Sequence, residues 1–192
     1  MVGRLVPHKR VEHAIDAAAE LRRELADLRL TVVGSGWWEG KLHEYVQSRG
    51  WSDFVEFTGQ VDDHTREAVY ERSWVLALPS LKEGWGLVVG EAALAGTPAV
   101  AYSSAGGTRE SIQHERSGLL VDDGYPGFVA GLRRILTDEA LRARLGEGAL
   151  EAGHRFTWDH TRERFAAVVA AVLEGRRVAT LDDPQDGRAD EG

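Results

Sequence analysis

The sequence predicts an α/β fold, a Rossmann-like, doubly wound parallel sheet of about six strands with helices on both faces. Short apolar runs alternate with longer segments in which apolar residues recur at helical spacing. The short runs show no alternation with polar residues, which is typical of parallel strands that helices cover on both sides. Glycine or proline follows most of these runs and marks where those strands end.

The predicted strands are the compact apolar runs, and the predicted helices are the periodic segments between them. Strands are predicted at residues 2–5, 28–33, 55–58, 75–78, 99–102 and 118–121. Helices are predicted at residues 11–25, 42–50, 64–72, 87–95, 126–136, 139–152 and 158–174, with Asp63 as the cap of the third and a helical turn after Gly106-Gly107. From Gly175 the chain turns polar and acidic, so we expect a folded domain at residues 1–174 and a disordered acidic tail at 175–192.

Composition narrows the function classes. With 23 basic and 31 acidic residues the net charge is −8, which argues against a nucleic-acid-binding surface. Cysteine is absent, so neither a disulfide framework nor a cysteine-based metal site is expected. No apolar run approaches the roughly 18 residues of a membrane span, and the first residues lack a signal-peptide layout. We therefore expect a cytoplasmic protein.

One stretch, residues 79–98, combines features that suit a single ligand. An apolar strand leads into a loop with a glycine-bracketed aromatic, Gly84-Trp85-Gly86, and a helix follows. The helix N-terminus offers N–H groups and partial positive charge to a phosphate. Glu83 and Glu91 offer carboxylate oxygens to hydroxyl groups. A ligand with both phosphates and hydroxyls is a nucleotide sugar, which is the hypothesis that this stretch suggests.

Basic residues follow the first predicted strand. Arg4 and Lys9 flank Pro7, at the carboxyl end of a strand, where open parallel sheets bind their ligands. Two cations there would clamp a diphosphate and remove the need for a metal. The alternative is that both are surface charges paired with acidic neighbours, which is the usual state of such residues.

Other interpretations of the loop stay open. Glu83 and Glu91 would form a general acid and base in a glycosidase-like site, but a phosphate-attracting helix end disfavours the protonated form that an acid needs. They would otherwise be a helix-capping residue and a solvated helix residue. Trp85 either shapes a sugar pocket or plugs the loop onto the sheet, and we favour the plug.

Several familiar motifs are incomplete. Gly34-Ser35-Gly36 begins a dinucleotide fingerprint, but Glu39 stands where the third glycine belongs. Gly40-Lys41 resembles the end of a phosphate loop without its first glycine or its Ser/Thr. The seven histidines lack metal-ligand spacing, and no Asp-x-Asp pair occurs. Dinucleotide binding and metal binding are therefore disfavoured.

A series of short motifs extends from residue 2 to about residue 174. They are Gly3-Arg4-Leu5-Val6-Pro7-His8-Lys9, Val33-Gly34-Ser35-Gly36, Phe57-Thr58-Gly59-Gln60-Val61, Pro79-Ser80-Leu81-Lys82-Glu83-Gly84-Trp85-Gly86-Leu87, Glu91-Ala92, Gly96-Thr97-Pro98, Gly106-Gly107 and Ser117-Gly118-Leu119-Leu120-Val121. In this order and spacing the series resembles the C-terminal, donor-binding half of a GT-B-fold retaining glycosyltransferase of family 4, also called group 1. The spacing from Glu83 to Glu91 matches that family's Glu-x7-Glu signature.

The resemblance implies roles for individual residues. Arg4 and Lys9 would bind the donor diphosphate and stabilise the leaving nucleotide, Glu83 would contact sugar hydroxyls, and Glu91 would contact the ribose. Arg4, Lys9 and Glu83 are thus the implied catalytic residues. The implied donor-binding residues are Arg4, Lys9, Gly59, Gln60, Val61, Glu83, Gly84, Trp85, Gly86, Leu87, Val88 and Glu91. Phenylalanine is commoner than tryptophan at position 85 in that family, so Trp85 bears on sugar preference.

The resemblance also implies a reaction and partners. A hexosyl group would pass from a UDP-, GDP- or ADP-sugar to an acceptor with retention of anomeric configuration, without a metal or another cofactor. The N-terminal acceptor domain of such enzymes is not in this sequence, so we expect a fragment that transfers nothing alone. That domain would also carry any peripheral association with a membrane. Which nucleotide, sugar and acceptor are used does not follow from these residues.

Two alternatives remain. One is half of a nucleotide-sugar epimerase, which has the same superfold. The other is a non-catalytic module that dimerises weakly through its closing helix, where Phe165, Val168, Val169 and Val172 form an apolar stripe.

Overall fold

The computed structural model describes residues 1–122, 124–155 and 158–176, and no side chain of residues 158–160. The chain divides into two compact units, Met1–His154 and a second that begins at Arg155, and each is described by itself. Most of the predicted acidic tail, residues 177–192, lies outside the described residues. The predicted limits of the folded domain, residues 1–174, stay a prediction.

Strands and helices alternate through the first unit. The strands are β1 (Leu30–Val33), β2 (Val55–Gly59), β3 (Leu76–Leu78), β4 (Ala99–Tyr102) and β5 (Gly118–Val121). The helices are α1 (Val11–Leu21), α2 (Glu39–Gln47), α3 (Asp63–Glu71), α4 (Leu87–Leu94), α5 (Thr108–Ser111), α6 (Tyr125–Thr137) and α7 (Glu139–His154), preceded by a 3₁₀ turn at Pro7–Lys9. All strand pairs are parallel.

The strands form two sheets, in the orders β1-β2 and β3-β4-β5. In the described residues this makes five strands, one fewer than predicted. The segment predicted as the first strand makes an isolated bridge between Val2 and Val33, in which the Gly3 N–H donates to Val33 O at 3.0 Å and the Val33 N–H to Met1 O at 2.9 Å. Gly3 has φ +150°, which is far from strand geometry, and the segment forms this bridge instead of a sixth strand.

Helices cover both faces of the sheets, as the prediction of a doubly wound fold requires. One core joins α1, α2 and α6 to strand residues such as Val32 and Val100. The other core joins α3 and α4 to the alternate strand residues Leu76, Leu78 and Ala101. Successive residues of β3 and β4 thus point to opposite cores, which is why these strands are apolar throughout.

Several predicted helix limits are wrong by a few residues, and α2 spans Glu39–Gln47 where residues 42–50 were predicted. The cap of α3 is Asp62, whose side chain accepts a hydrogen bond from the Thr65 N–H at 2.7 Å, while Asp63 lies inside the first turn. Asp62 has the extended backbone that a cap requires. Helix α1 ends at Leu21 and not at residue 25, because the N–H groups of Arg23 and Glu24 donate to carbonyls three residues back instead of four.

A cavity of about 670 Å³ lies at the amino ends of the strands, between the two sheets. Its lining includes Leu30, Thr31, Val75 and Ala77. The Met1 amine donates to Thr31 O at 2.8 Å, and its burial lowers the pKa of this amine from 8.0 to about 5. The cavity is therefore at the edge opposite to the loops that carry the predicted site.

The second unit contains α8, Trp158–Leu173. Of its predicted apolar stripe, Phe165, Val169 and Val172 are exposed and Val168 is half-buried. None of the helices among the described residues combines the length and the apolar character that crossing a membrane requires.

Candidate functional site

Four loops meet at the carboxyl ends of the strands. The segment after Gly3 contacts the loop after β1 through a hydrogen bond from the Leu5 N–H to Ser35 O at 2.9 Å. It contacts the loop after β3 through the Leu81 N–H and His8 O at 2.8 Å. The loops after β3 and β4 are joined by the Glu83 N–H and Ala105 O at 2.7 Å. Main-chain hydrogen bonds therefore hold all four loops in one surface.

The glycines of the Gly34-Ser35-Gly36 motif allow the closest of these approaches. A Cβ on Gly34 would lie 2.0 Å from Gly3 O, and a Cβ on Gly36 would lie 2.1 Å from Leu5 O. Gly34 also has φ +124°, which L side chains rarely adopt. These glycines serve backbone packing beside Arg4, which accounts for the incomplete dinucleotide fingerprint.

The Glu83 carboxylate is buried in an ion pair. Its Oε1 atom lies 2.6 Å from Lys9 Nζ and accepts a hydrogen bond from Ser80 Oγ at 2.6 Å. The side chains of Glu83 and Lys9 are only 7% and 15% exposed. From the residues that the structure describes, Oε2 of Glu83 receives no hydrogen bond. The structure thus pairs Glu83, whose implied role is to contact the sugar, with Lys9, whose implied role is to bind the diphosphate.

The Glu91 carboxylate is also held by one oxygen. Its Oε2 atom accepts from Arg66 Nε at 3.0 Å and from the Tyr70 hydroxyl at 2.9 Å. Burial, followed by the neighbouring Glu91 charge, raises the pKa of Tyr70 far above its ordinary value, so its hydroxyl remains a donor. These contacts contradict the interpretation of Glu91 as a merely solvated helix residue.

Arg66 and Tyr70 are the residues that sequence reasoning missed. They lie four positions apart on α3, so they share one face of that helix. Their spacing alone would have suggested only an ordinary helix face. Their contact with Glu91 depends on tertiary packing, because α3 packs against α4 and brings both side chains to the carboxylate.

Arg4 differs from Lys9 in its surroundings. It is exposed, and its guanidinium makes neither an ion pair nor a hydrogen bond with any residue in the described part of the chain. It follows Gly3 directly, beside the loop after β1. Five N–H donors are therefore available there to an anion.

Helix α4 starts at the loop after β3 as predicted. Gly86 is its N-cap, with φ +75° and no side-chain hydrogen bond to the helix. Gly84 and Leu87 are exposed, and Val88 is half-buried. Trp85 is 38% exposed, so most of its surface is covered, and its predicted role as a plug stays a prediction. In the first turn the Val89 N–H donates to Gly86 O at 2.7 Å, which leaves the N–H groups of Leu87 and Val88 for a ligand.

The predicted base-contacting stretch begins at Gly59, the last residue of β2. Gly59 has φ +68°, and its carbonyl accepts from the Gly34 N–H at 2.8 Å, which ties this stretch to the loop after β1. Gln60 is exposed, and Val61 packs partly against the second core. Across residues 1–122, 124–155 and 158–176, no group of three His, Cys, Asp or Glu side chains is arranged to hold a metal ion.

Comparisons with known proteins identify the family of this chain. The family described as "Glycosyl transferases group 1" matches residues 1–152. An exopolysaccharide phosphotransferase of Streptomyces coelicolor is 36% identical over 189 residues, which cover 95% of this chain and 20% of that protein. A D-inositol 3-phosphate glycosyltransferase of Stackebrandtia nassauensis is 34% identical over 196 positions, which cover 97% of this chain and 44% of that protein.

Solved structures share the fold. The crystal structure of Anabaena HepE in complex with UDP matches with a TM-score of 0.77 and 25% identity, over 88% of this chain and 48% of that one. This likeness confirms the predicted Rossmann-like α/β class. The chain spans 20% and 44% of the length of the two curated relatives.

Proposed function

Since the chain belongs to the glycosyl transferases group 1 family, with the Rossmann-like architecture of GT-B enzymes, we propose that it is the part that binds the nucleotide-sugar donor. The proposed reaction is transfer of a hexosyl group from the donor to an acceptor hydroxyl, with retention and without a metal. We propose that the acceptor is bound by another part of a longer enzyme, so that this chain binds donor but transfers nothing alone.

The paired arrangement of Glu83 and Glu91 carries the proposal. Each carboxylate is held through one oxygen by two protein donors, and the other oxygen receives no hydrogen bond from the described residues. A carboxylate fixed in this way is a ready acceptor for hydroxyl groups. A nucleotide sugar has hydroxyls on its hexose and on its ribose, which suits one glutamate for each.

The surrounding charges support a diphosphate between the two sugars. Arg4 offers an exposed guanidinium, and α4 offers the N–H groups of its first turn. The Lys9 ammonium has three donors, one of which meets Glu83, so two remain for phosphate oxygens. As the bond from the anomeric carbon to the diphosphate breaks, negative charge grows on the leaving phosphate, and these groups would stabilise it.

The ion pair also bears on the role of Glu83. A general acid must donate a hydrogen bond to its ligand, whereas Glu83 accepts hydrogen bonds from Lys9 Nζ and Ser80 Oγ, both at 2.6 Å. Glu83 is therefore proposed as an acceptor for sugar hydroxyls and as a partner that orients Lys9. The relatives support transferase chemistry, since one is described as a glycosyltransferase and another as a phosphotransferase.

Calorimetry with UDP-, GDP- and ADP-glucose tests the proposal. We expect one of the three to bind, and we expect Arg4→Ala and Glu91→Ala to weaken that binding at least about tenfold. Arg29→Ala is the matched control, because Arg29 is an exposed arginine that lines the cavity at the opposite edge. Binding of none of the three sugars by the parent chain, or equal loss in all three variants, would refute the site.

One observation favours a second candidate, a module that dimerises through α8. Phe165 and Val172 of this helix are 69% and 64% exposed, which is unusual for apolar side chains. Light scattering over a range of concentrations, with and without residues 156–174, would detect such a dimer. A monomer at every concentration would exclude it.

A further inference from the structure

Glu91 is held by a matched pair of donors from one helix face. Arg66 and Tyr70 are four residues apart on α3, and both address the Oε2 atom, at 3.0 Å and 2.9 Å. Neither is a residue of the motifs that identify the family in this chain. Their contacts therefore need an account of their own.

The helix that carries this pair is fixed at both ends. At its start Asp62 caps the backbone, and Asp63 pairs with Arg66 at 3.0 Å. At its end the Thr97 hydroxyl donates to Tyr70 O at 2.7 Å, which ties α3 to the segment after α4. Tyr70 is 2% exposed, so its ring has little freedom. The two donors are preorganised before any ligand binds.

Only one oxygen of the Glu91 carboxylate is left to accept hydrogen bonds from a ligand. A carboxylate oxygen accepts about two hydrogen bonds through its lone pairs, and Arg66 and Tyr70 use both positions of Oε2. The Oε1 atom accepts none from the residues that the structure describes, and the side chain is 38% exposed. Glu91 thus presents a single oxygen to a ligand, in an orientation that α3 sets.

We propose that Arg66 and Tyr70 are positioning residues that make Glu91 a one-oxygen acceptor for the vicinal hydroxyls of the donor ribose. This inference rests on the proposed function and adds to it a determinant of preference for ribose over sugars that lack the diol. Without the pair, the Glu91 side chain would sample several rotamers, and ordering it when the diol binds would cost conformational entropy.

The test compares UDP with 2′,3′-dideoxy-UDP by calorimetry, with GDP and ADP in place of UDP if the parent prefers them. We expect Arg66→Met to weaken UDP binding about fivefold, the effect of leaving one side chain to be ordered on binding, and to change dideoxy-UDP binding less than about twofold. Tyr70→Phe keeps the ring and should give a smaller loss with the same selectivity. Arg72→Met, at an exposed arginine at the end of the same helix, is the matched control and should change neither affinity.

A second readout tests the single oxygen directly. In Glu91→Gln the amide oxygen should turn to Arg66, which leaves the NH₂ group toward the ligand, so UDP should bind as weakly as it does to Glu91→Ala. When Arg66→Met is added, the amide can turn over, because its NH₂ group can donate to the Tyr70 oxygen. The amide oxygen then faces the ligand, and UDP binding should recover at least about threefold relative to Glu91→Gln.

The outcomes separate the two proposals. If the parent chain binds none of the three nucleoside diphosphates, the proposed function fails and this inference fails with it. If UDP binds but Arg66→Met weakens UDP and dideoxy-UDP equally, the site stands and Arg66 acts only through charge or stability. The same conclusion follows if Arg66→Met does not improve binding by Glu91→Gln.

Discussion

Replacing Lys9 by methionine is the sharpest test of how the site is built. Methionine keeps most of the length of the side chain and removes the ammonium 2.6 Å from Glu83. Glu83 is 7% exposed at its side chain, so its charge would remain desolvated with the Ser80 hydroxyl as its one side-chain donor. We expect a large loss of folding stability from a residue that is not in the apolar core.

The magnitude follows from the geometry. Two unit charges 2.6 Å apart attract by about 6 kcal/mol at an effective dielectric of 20, and the desolvation of both groups offsets part of that. Removing one partner of a buried pair costs about 3–5 kcal/mol. Because Ser80 stays and Lys9 is 15% exposed, we expect the lower end, about 3 kcal/mol, or a fall in Tm of about 6–12 °C.

Urea denaturation of four chains measures this loss. Glu83→Gln alone should cost about 1 kcal/mol, since the flexible stem lets the Lys9 ammonium reach water. The double variant should be more stable than Lys9→Met, with a coupling energy of about 2 kcal/mol between the two sites. Lys82→Met, at an exposed neighbouring lysine, is the control and should stay within about 0.5 kcal/mol of the parent. Additive single losses, or a loss under 1 kcal/mol for Lys9→Met, would show that the pair is not desolvated.

Two further predictions concern the backbone and the terminus. Gly36→Ala should cost about 4 kcal/mol or more in urea denaturation, because the new Cβ would lie 2.1 Å from Leu5 O, whereas Gly40→Ala in α2 meets nothing within 4 Å and should stabilise by up to about 1 kcal/mol. Equal effects of the two would contradict the close approach. The Met1 amine has a pKa of about 5 when folded and 8.0 when unfolded, so between these values the unfolded chain binds more protons and stability should rise with pH, by up to about 4 kcal/mol. Acetylating the amine should remove most of this slope, since the adjacent cavity has room for the acetyl group.

Local signals in the sequence were enough to place most elements. The strand at Gly118–Val121 and the start of α4 after Gly86 were predicted at their observed positions. The cap of α3 was missed by one residue, because Asp62 and Asp63 are chemically equivalent and only the backbone angles distinguish them. Helix propensity and hydrophobic periodicity do not distinguish two positions that differ by one residue.

The partners of the site residues could not be predicted in the same way. The distance from Lys9 to Glu83 depends on how two loops meet, and the contact of Arg66 with Glu91 depends on how α3 packs on α4. These are tertiary relations between residues 74 and 25 positions apart. The motifs indicated which residues belong to the site, and the packing shows which atoms of them remain for a ligand.

The division of the strands into two sheets has a consequence for hydrogen exchange. No ladder joins β1-β2 to β3-β4-β5 in the described residues, so opening one sheet breaks no backbone bond of the other. Strand β4 alone is paired on both sides within these sheets, and its residues Ala99–Tyr102 are at most 1% exposed. The amides of β4 should therefore exchange most slowly, and those of β2 should exchange in a separate, faster class. The loops of the candidate site are attached to both sheets, so local opening of the β1-β2 sheet would reach the site through the loop after β1, beside Arg4.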